Sequence, residues 1–324
     1  MHRQLRRLLA FGLLLSACQT SLPEPTPTLE PTSPPPTPTE EPIIMTAPDV
    51  EHVTSVDGAD QPFDAPYGVD VNDEGWVYIL DANNQQVRVF DSAGEQLFAW
   101  GEPGEEPGQF NTLGFGSLAL DPQGDVFVVD NGNFRVQKFD AQGKFLLEFG
   151  SEGEGEGGFT RAIGIATDAD GNVYVTDDSV PFVQIFDNEG KFLRQFGGEG
   201  REPGQFLHAT GISIGSEGHI YVADYTVQRL QVFTNSGEFY TEWSIGHGSN
   251  LPGTPEGVTI DAMGRVFVTD YRLGRVEVYT PDGEYLAHFG GARLQAPVDI
   301  AVNADGSVFV TDQTTSQLQI YTTP

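Results

Sequence analysis

The sequence of 324 residues contains one cysteine, Cys18, so no intrachain disulfide can form anywhere in it. Basic side chains are scarce: 16 Lys and Arg stand against 47 Asp and Glu, for a formal net charge of −31. A surface this acidic repels a polyanion, which excludes a nucleic-acid binder working by general phosphate attraction. Histidine is sparse as well, with six in the whole chain, which restricts histidine-rich metal chemistry. Past residue 49 no segment carries the period of an amphipathic helix. Apolar residues are plentiful at 38%, with 22 Phe and 10 Tyr, enough for a substantial core. Glycine (39) and proline (22) exceed what helical bundles carry and suit turn-rich β architectures. The bulk of the chain is therefore expected to be all-β.

The first residues read as an export signal. Arg3, Arg6 and Arg7 form a basic start, followed by a short apolar run from Leu8 to Leu15 that is too short to span a bilayer. The run ends in Leu15-Ser16-Ala17-Cys18, which resembles the lipobox of bacterial lipoproteins. That resemblance implies cleavage after residue 17 and acylation of Cys18, an anchor that contributes about 0.8 kcal/mol per buried methylene. It implies an exported protein held on the cell envelope by lipid alone. Gln19 follows where some envelopes read a retention Asp, which favours the outer membrane where one exists. Residues 18–48, rich in Pro, Thr, Ser and Glu, have nothing to bury and are expected to form an extended stalk. At about 3.1 Å per residue such a stalk reaches at most about 90 Å.

From residue 49 one pattern recurs six times. It appears as Trp76-Val-Tyr-Ile-Leu-Asp81, Asp125-Val-Phe-Val-Val-Asp130, Asn172-Val-Tyr-Val-Thr-Asp177, His219-Ile-Tyr-Val-Ala-Asp224, Arg265-Val-Phe-Val-Thr-Asp270 and Ser307-Val-Phe-Val-Thr-Asp312. The terminal Asp residues recur every 42 to 49 positions, the period of a four-stranded propeller blade. Each copy has a strand before it and two after it, linked by Asp-Gly, Glu-Gly or Ser-Gly turns. The last copy ends at Pro324 without its fourth strand. A matching segment, Val53-Thr-Ser-Val-Asp57, stands at the opposite end of the globular region. The spacing predicts a closed six-bladed β-propeller of four-stranded antiparallel blades over residues 49–324, with the last blade completed by the N-terminal strand. Closure pairs edges that would otherwise template aggregation.

Gly171-Asn-Val-Tyr-Val-Thr-Asp177, the Arg five residues after several of the terminal Asp residues (Arg135, Arg229, Arg275) and Gly190-Lys-Phe-Leu-Arg-Gln-Phe-Gly197 resemble NHL repeats. Similar propellers include RNA-binding proteins, receptor ectodomains, surface lipoproteins and metal-dependent lyases and lactonases, so fold alone chooses no function. Chemistry is needed once, whereas a residue present in every blade serves something every blade needs. Asp81, Asp130, Asp177, Asp224, Asp270 and Asp312 are accordingly expected to cap turns through backbone N–H groups. The three Arg residues are expected to pair with them.

Function is sought on the face where the inter-blade loops and the second-to-third strand loops surround the channel. Three long loops there carry Glu102, Glu105 and Glu106; Glu152, Glu154 and Glu156; and Glu199 and Glu202, a surface suited to a cationic partner. The channel mouth is expected to present Tyr67, Phe115, Arg161, His208, Glu256 and Asp299. Phe134, Phe182, Tyr225 and Tyr271 are aromatic contact candidates, with Phe115 beside them. Only His208 among the histidines falls at the mouth, so a three-His zinc site cannot be assembled there. Glu256, in Thr254-Pro255-Glu256-Gly257, resembles an acidic channel position of lactonase-like propellers, which implies a possible Ca²⁺ ligand. The reading favours a lipid-anchored, non-enzymatic module binding a protein, peptide or glycan. Its alternative is a Ca²⁺-dependent hydrolase or lyase with His208 as general base and Glu256 as partner or metal ligand.

Overall fold

A computed structural model describes residues 45–58, 60–112 and 114–323. Cys18, the export signal and the stalk up to residue 44 lie outside the described residues. Among those described, no helix is long and apolar enough to cross a membrane.

Among the described residues the blades are six four-stranded antiparallel sheets, five of them in simple meander order and the sixth taking its outermost strand from the N-terminal end, and the repeat explains each layer. The inner strands are Pro66–Val71, Leu118–Leu120, Ala162–Thr167, Ala209–Ile214, Pro255–Ile260 and Pro297–Val302, numbered here as blades 1 to 6. The second strand of each blade is the recurring motif itself. Val77–Asp81, Val126–Asp130 and Val173–Asp177 are buried at every position, because both faces of a strand there meet a neighbouring blade. The outermost strands, such as Phe145–Phe149, alternate between half-buried and exposed residues, as expected where one face meets water.

The core consists of six apolar clusters, one at each junction between adjacent blades. At the junction of blades 2 and 3, for example, Phe127, Val129 and Val136 pack on Ile165, Val173, Val175 and Phe186. The ring closes at the junction of blades 6 and 1, where Phe309, Leu318 and Ile320 pack on Val69, Val77, Ile79 and Phe90. Glu51–Val56 pairs antiparallel with Gln317–Thr322 and completes blade 6, as the sequence predicts. His52 Nε2 and Ser55 Oγ both reach Gln319 Oε1, at 3.0 and 2.7 Å, across this seam.

Two features hold the inner strands close around the channel. A Cβ on Gly164 would stand 2.2 Å from Thr210 O and 2.6 Å from Thr176 Oγ1, so only glycine fits there. Thr176, Thr269 and Thr311, one residue before the terminal Asp, donate their hydroxyls to Thr210 O, Val298 O and Tyr67 O on the next inner strand. These hydroxyls stitch blade to blade where the remaining blades carry Leu80, Val129 and Ala223.

The terminal Asp residues do what the sequence predicts, and more. Asp177 accepts from Thr160 N and Arg161 N on the incoming loop and from Ser179 N and Val180 N in its own turn, at 2.7 to 3.0 Å. Asp312 accepts in the same manner from Gln295 N, Ala296 N and Thr315 N. Each carboxylate thus pins two loops on the channel face. Arg135 pairs with Asp130 at 2.8 Å, whereas Arg229 and Arg275 stand 3.6 and 4.0 Å from their Asp partners. Arg229 makes its shorter contact with Glu242 Oε2, and Arg275 with Glu277 Oε1. Blade 1 differs in taking its guanidinium from Arg88, 3.1 Å from Asp81.

The long loops are also fixed. Phe110, Phe159 and Phe206 are fully buried at their ends, and short parallel pairings (Ser151–Glu152 with Gly158–Phe159, Pro103 with Phe110, Glu199 with Phe206) give the loops regular geometry.

Candidate functional site

On the loop face the blades leave a cup of about 400 Å³ at the channel mouth. Its lining includes Tyr67, Phe115, Arg161, His208, Tyr225, Glu256 and Tyr271, all of them singled out in the sequence, together with Asp178, Thr226 and Gln313, which were not. Two chain positions supply most of it. One is the second residue of the inner strand in blades 1 and 3 to 6, which is Tyr67 in blade 1 and Glu256 in blade 5. The other directly follows each terminal Asp, and there Asp178, Tyr225, Tyr271 and Gln313 stand in successive blades.

The floor of the cup is Glu256, 7% exposed, at the junction with the channel beneath. Tyr67 Oη donates a short hydrogen bond to Glu256 Oε1, while Oε2 has no hydrogen-bond partner. Burial raises the Glu256 carboxyl to about 7, with the nearby Asp299 adding to the rise and the Tyr67 hydrogen bond and Arg161 opposing it. The same burial and the Glu256 charge push the Tyr67 phenol well above its ordinary value.

Arg161 forms the wall, half-exposed, with Nε 2.5 Å from Asp178 Oδ1 and Nη2 bonded to Asp178 Oδ2. Its guanidinium also lies over the Phe115 ring, 5.4 Å from the centroid. His208 Nδ1 bonds Thr226 Oγ1. Tyr225 and Tyr271 stand side by side, their centroids 6.4 Å apart.

Below the cup, inner-strand backbones line the channel, and two more carboxylates enter it. Asp299 occupies the position that is glycine in four of the other blades. It accepts from Ser117 Oγ at 2.7 Å, from Val69 N at 3.2 Å and from Ile300 N at 2.9 Å. It thus lines the channel rather than the cup. Asp70 stands one layer further down, accepting from Leu120 N and Val71 N at 2.8 Å. Burial raises Asp299 to about 6 and Asp70 to about 7, against the hydrogen bonds that each receives. Asp70 escaped the sequence reading. Its signal was a carboxylate in a strand position filled by Ala119, Ala166, Ser213, Thr259 and Ala301 elsewhere.

All eight loop glutamates are exposed. Glu154 and Glu199 line a groove that shares Asp178 and His208 with the cup, and Phe182 and Leu207 also line it. Glu102, Glu105, Glu106, Glu152, Glu156 and Glu202 line neither cavity. Glu102 Oε1 accepts from Gln109 Nε2 at 2.9 Å inside its own loop. Phe134 caps the short 3-10 turn Asn131–Asn133 with a left-handed backbone and stands outside the cup. Among the described residues no three or more His, Cys, Asp or Glu side chains are grouped to hold a metal ion.

The architecture makes this chain a six-bladed β-propeller, with a cup where its symmetry is broken. Residues 163–245 match a family model described as a 6-bladed beta-propeller and residues 116–139 match the NHL repeat, both inside the propeller described above. No curated protein matches the sequence. Among solved structures, it is similar to a catalytically inactive virginiamycin B lyase from Staphylococcus aureus with quinupristin (15% identity, TM-score 0.62, covering 85% of this chain and 99% of that one). It is also similar to a gluconolactonase from Xanthomonas campestris (14% identity, TM-score 0.61, 85% and 99%). A protein of unknown function from Bacteroides thetaiotaomicron is similar over 84% of this chain and 75% of that one (16% identity, TM-score 0.63). At these identities the likeness is one of fold.

Proposed function

We propose that the protein is an extracytoplasmic binding module, anchored through Cys18 and carried on its Pro/Thr-rich stalk, that docks a protein, peptide or glycan partner at the channel mouth. The observation that carries this reading is the convergence of Tyr225, Tyr271, Phe115, Arg161, His208 and Glu256 on one open cup. Each departs from the repeat, and rigid blades hold them all. Aromatic rings beside a few oriented polar groups are the composition of a recognition site. The Ca²⁺-dependent hydrolase or lyase reading has less support, because it needs several donors converging on one ion. Glu256 Oε2 is the one carboxylate oxygen at the cup that is buried and without a partner.

The test is capture from envelope extract by the full chain and by a Tyr225→Ala/Tyr271→Ala variant. Tyr225 is 36% exposed and Tyr271 is half-buried, and near-UV circular dichroism checks that the variant keeps its fold. Partners retained by the parent and lost by the variant are the expected result. An identical set of captured partners overturns the assignment of the mouth.

A further inference from the structure

Glu256 is more than nine-tenths buried, and one of its two oxygens is satisfied by Tyr67 while the other has no protein partner. A buried carboxylate oxygen without a donor is costly, and a ligand can supply the missing donor. The surrounding charges leave room for a cation. Arg161 is the only basic side chain among the cup residues apart from His208, and its charge is taken up by two bonds to the buried Asp178. Asp299 lies below Glu256 and adds negative potential. The walls suit a cation as well: Phe115 already holds a guanidinium over its ring, and Tyr225 and Tyr271 present two more π faces.

One free oxygen also discriminates between cations. A guanidinium is recognised best by a fork of two acceptors, whereas an ammonium is a compact charge that can donate to a single oxygen. Resting on the mouth as the binding site, we propose that the cup takes the ammonium group of a lysine side chain on a peptide partner, seated between Tyr225 and Tyr271 and donating to Glu256 Oε2.

The experiment is calorimetric titration of the full chain at pH 8 with the Nα-acetyl methylamides of lysine, norleucine and arginine, and with 1-aminopentane. The lysine compound is expected to bind at least about tenfold more tightly than norleucine, which is its uncharged counterpart. Glu256→Gln is expected to remove that advantage and leave norleucine unchanged. Equal binding of lysine and norleucine, or a Glu256→Gln variant with unaltered lysine affinity, overturns the proposal. Arginine binding as tightly as lysine overturns the ammonium assignment, and 1-aminopentane binding as tightly as lysine overturns the peptide source. Near-UV circular dichroism checks the fold of Glu256→Gln. Should it be altered, Tyr271→Ala replaces it, with the same loss expected and retained lysine affinity counting against the proposal. The two readings fail separately. If Tyr225→Ala/Tyr271→Ala loses its envelope partner but no amine binds the parent, the mouth stands and the ammonium inference falls.

Discussion

Glu256→Gln isolates the energetic effect of one buried charge. In the unfolded chain this carboxyl titrates near 4.5, and in the propeller burial raises it to about 7. The folded protein therefore holds a proton that the unfolded chain has released, and stability falls as pH rises between those values. The gap corresponds to about 3 kcal/mol, fully lost above pH 7. The glutamine variant cannot lose it. The amide retains an acceptor for Tyr67 and places an NH₂ where Oε2 had no partner, which costs about 1 to 3 kcal/mol if that NH₂ remains unpaired. That cost does not depend on pH, so it shifts the comparison without tilting it. Asp70 and Asp299 titrate in both proteins and largely cancel in the difference. Urea denaturation of parent and variant at half-unit steps from pH 4.5 to pH 8 reads the effect directly. Relative to the parent, the variant is expected to gain about 3 kcal/mol across this window, most of it between pH 5 and pH 7. Parallel stability curves would show that Glu256 is not held in a desolvated site, and the account of the cup floor would fall with that result.

Gly164→Ala should destabilise the protein by about 2 kcal/mol or more, since its methyl would meet Thr210 O and Thr176 Oγ1 inside 3 Å; an unchanged urea midpoint would contradict the close approach of blades 3 and 4. Deleting residues 51–56 removes the outer partner of Gln317–Thr322 and the seam bonds to Gln319. A lower thermal midpoint and concentration-dependent oligomers in size-exclusion chromatography are expected, whereas a monodisperse protein of unchanged midpoint would deny the N-terminal strand its role in closure.

The architecture was legible because it depends on quantities that repeat. A second strand buried on both faces has to be apolar throughout, and six such strands ending in Asp fix both the blade count and the register. The absent fourth strand of the last copy located the closure. Cross-blade ties were harder to read. Thr176, Thr269 and Thr311 look like ordinary β-branched strand residues, and their hydroxyl bonds reach a strand that is distant in sequence. Arg88 supplied to blade 1 what a residue two positions earlier supplies in blades 2, 4 and 5, a displacement that a search at fixed spacing passes over.

The candidate site was legible only where an individual residue departs from the repeat. Tyr67, Arg161, His208 and Glu256 were found because other blades place different residue types at those positions. Asp178 was hidden by standing directly after the repeated Asp177, although the two carboxylates have opposite roles. Asp177 is consumed by four backbone N–H groups, and Asp178 is turned to hold Arg161. That pairing determines the electrostatics of the cup. Without it Arg161 would face Glu256 as an uncompensated cation and offer an internal partner for the buried carboxylate. Asp178 keeps the guanidinium on the wall, beside Phe115, and Glu256 Oε2 is left buried without a protein partner. In a chain with so few Lys and Arg residues, the one lining this cup is held by a buried acid of its own.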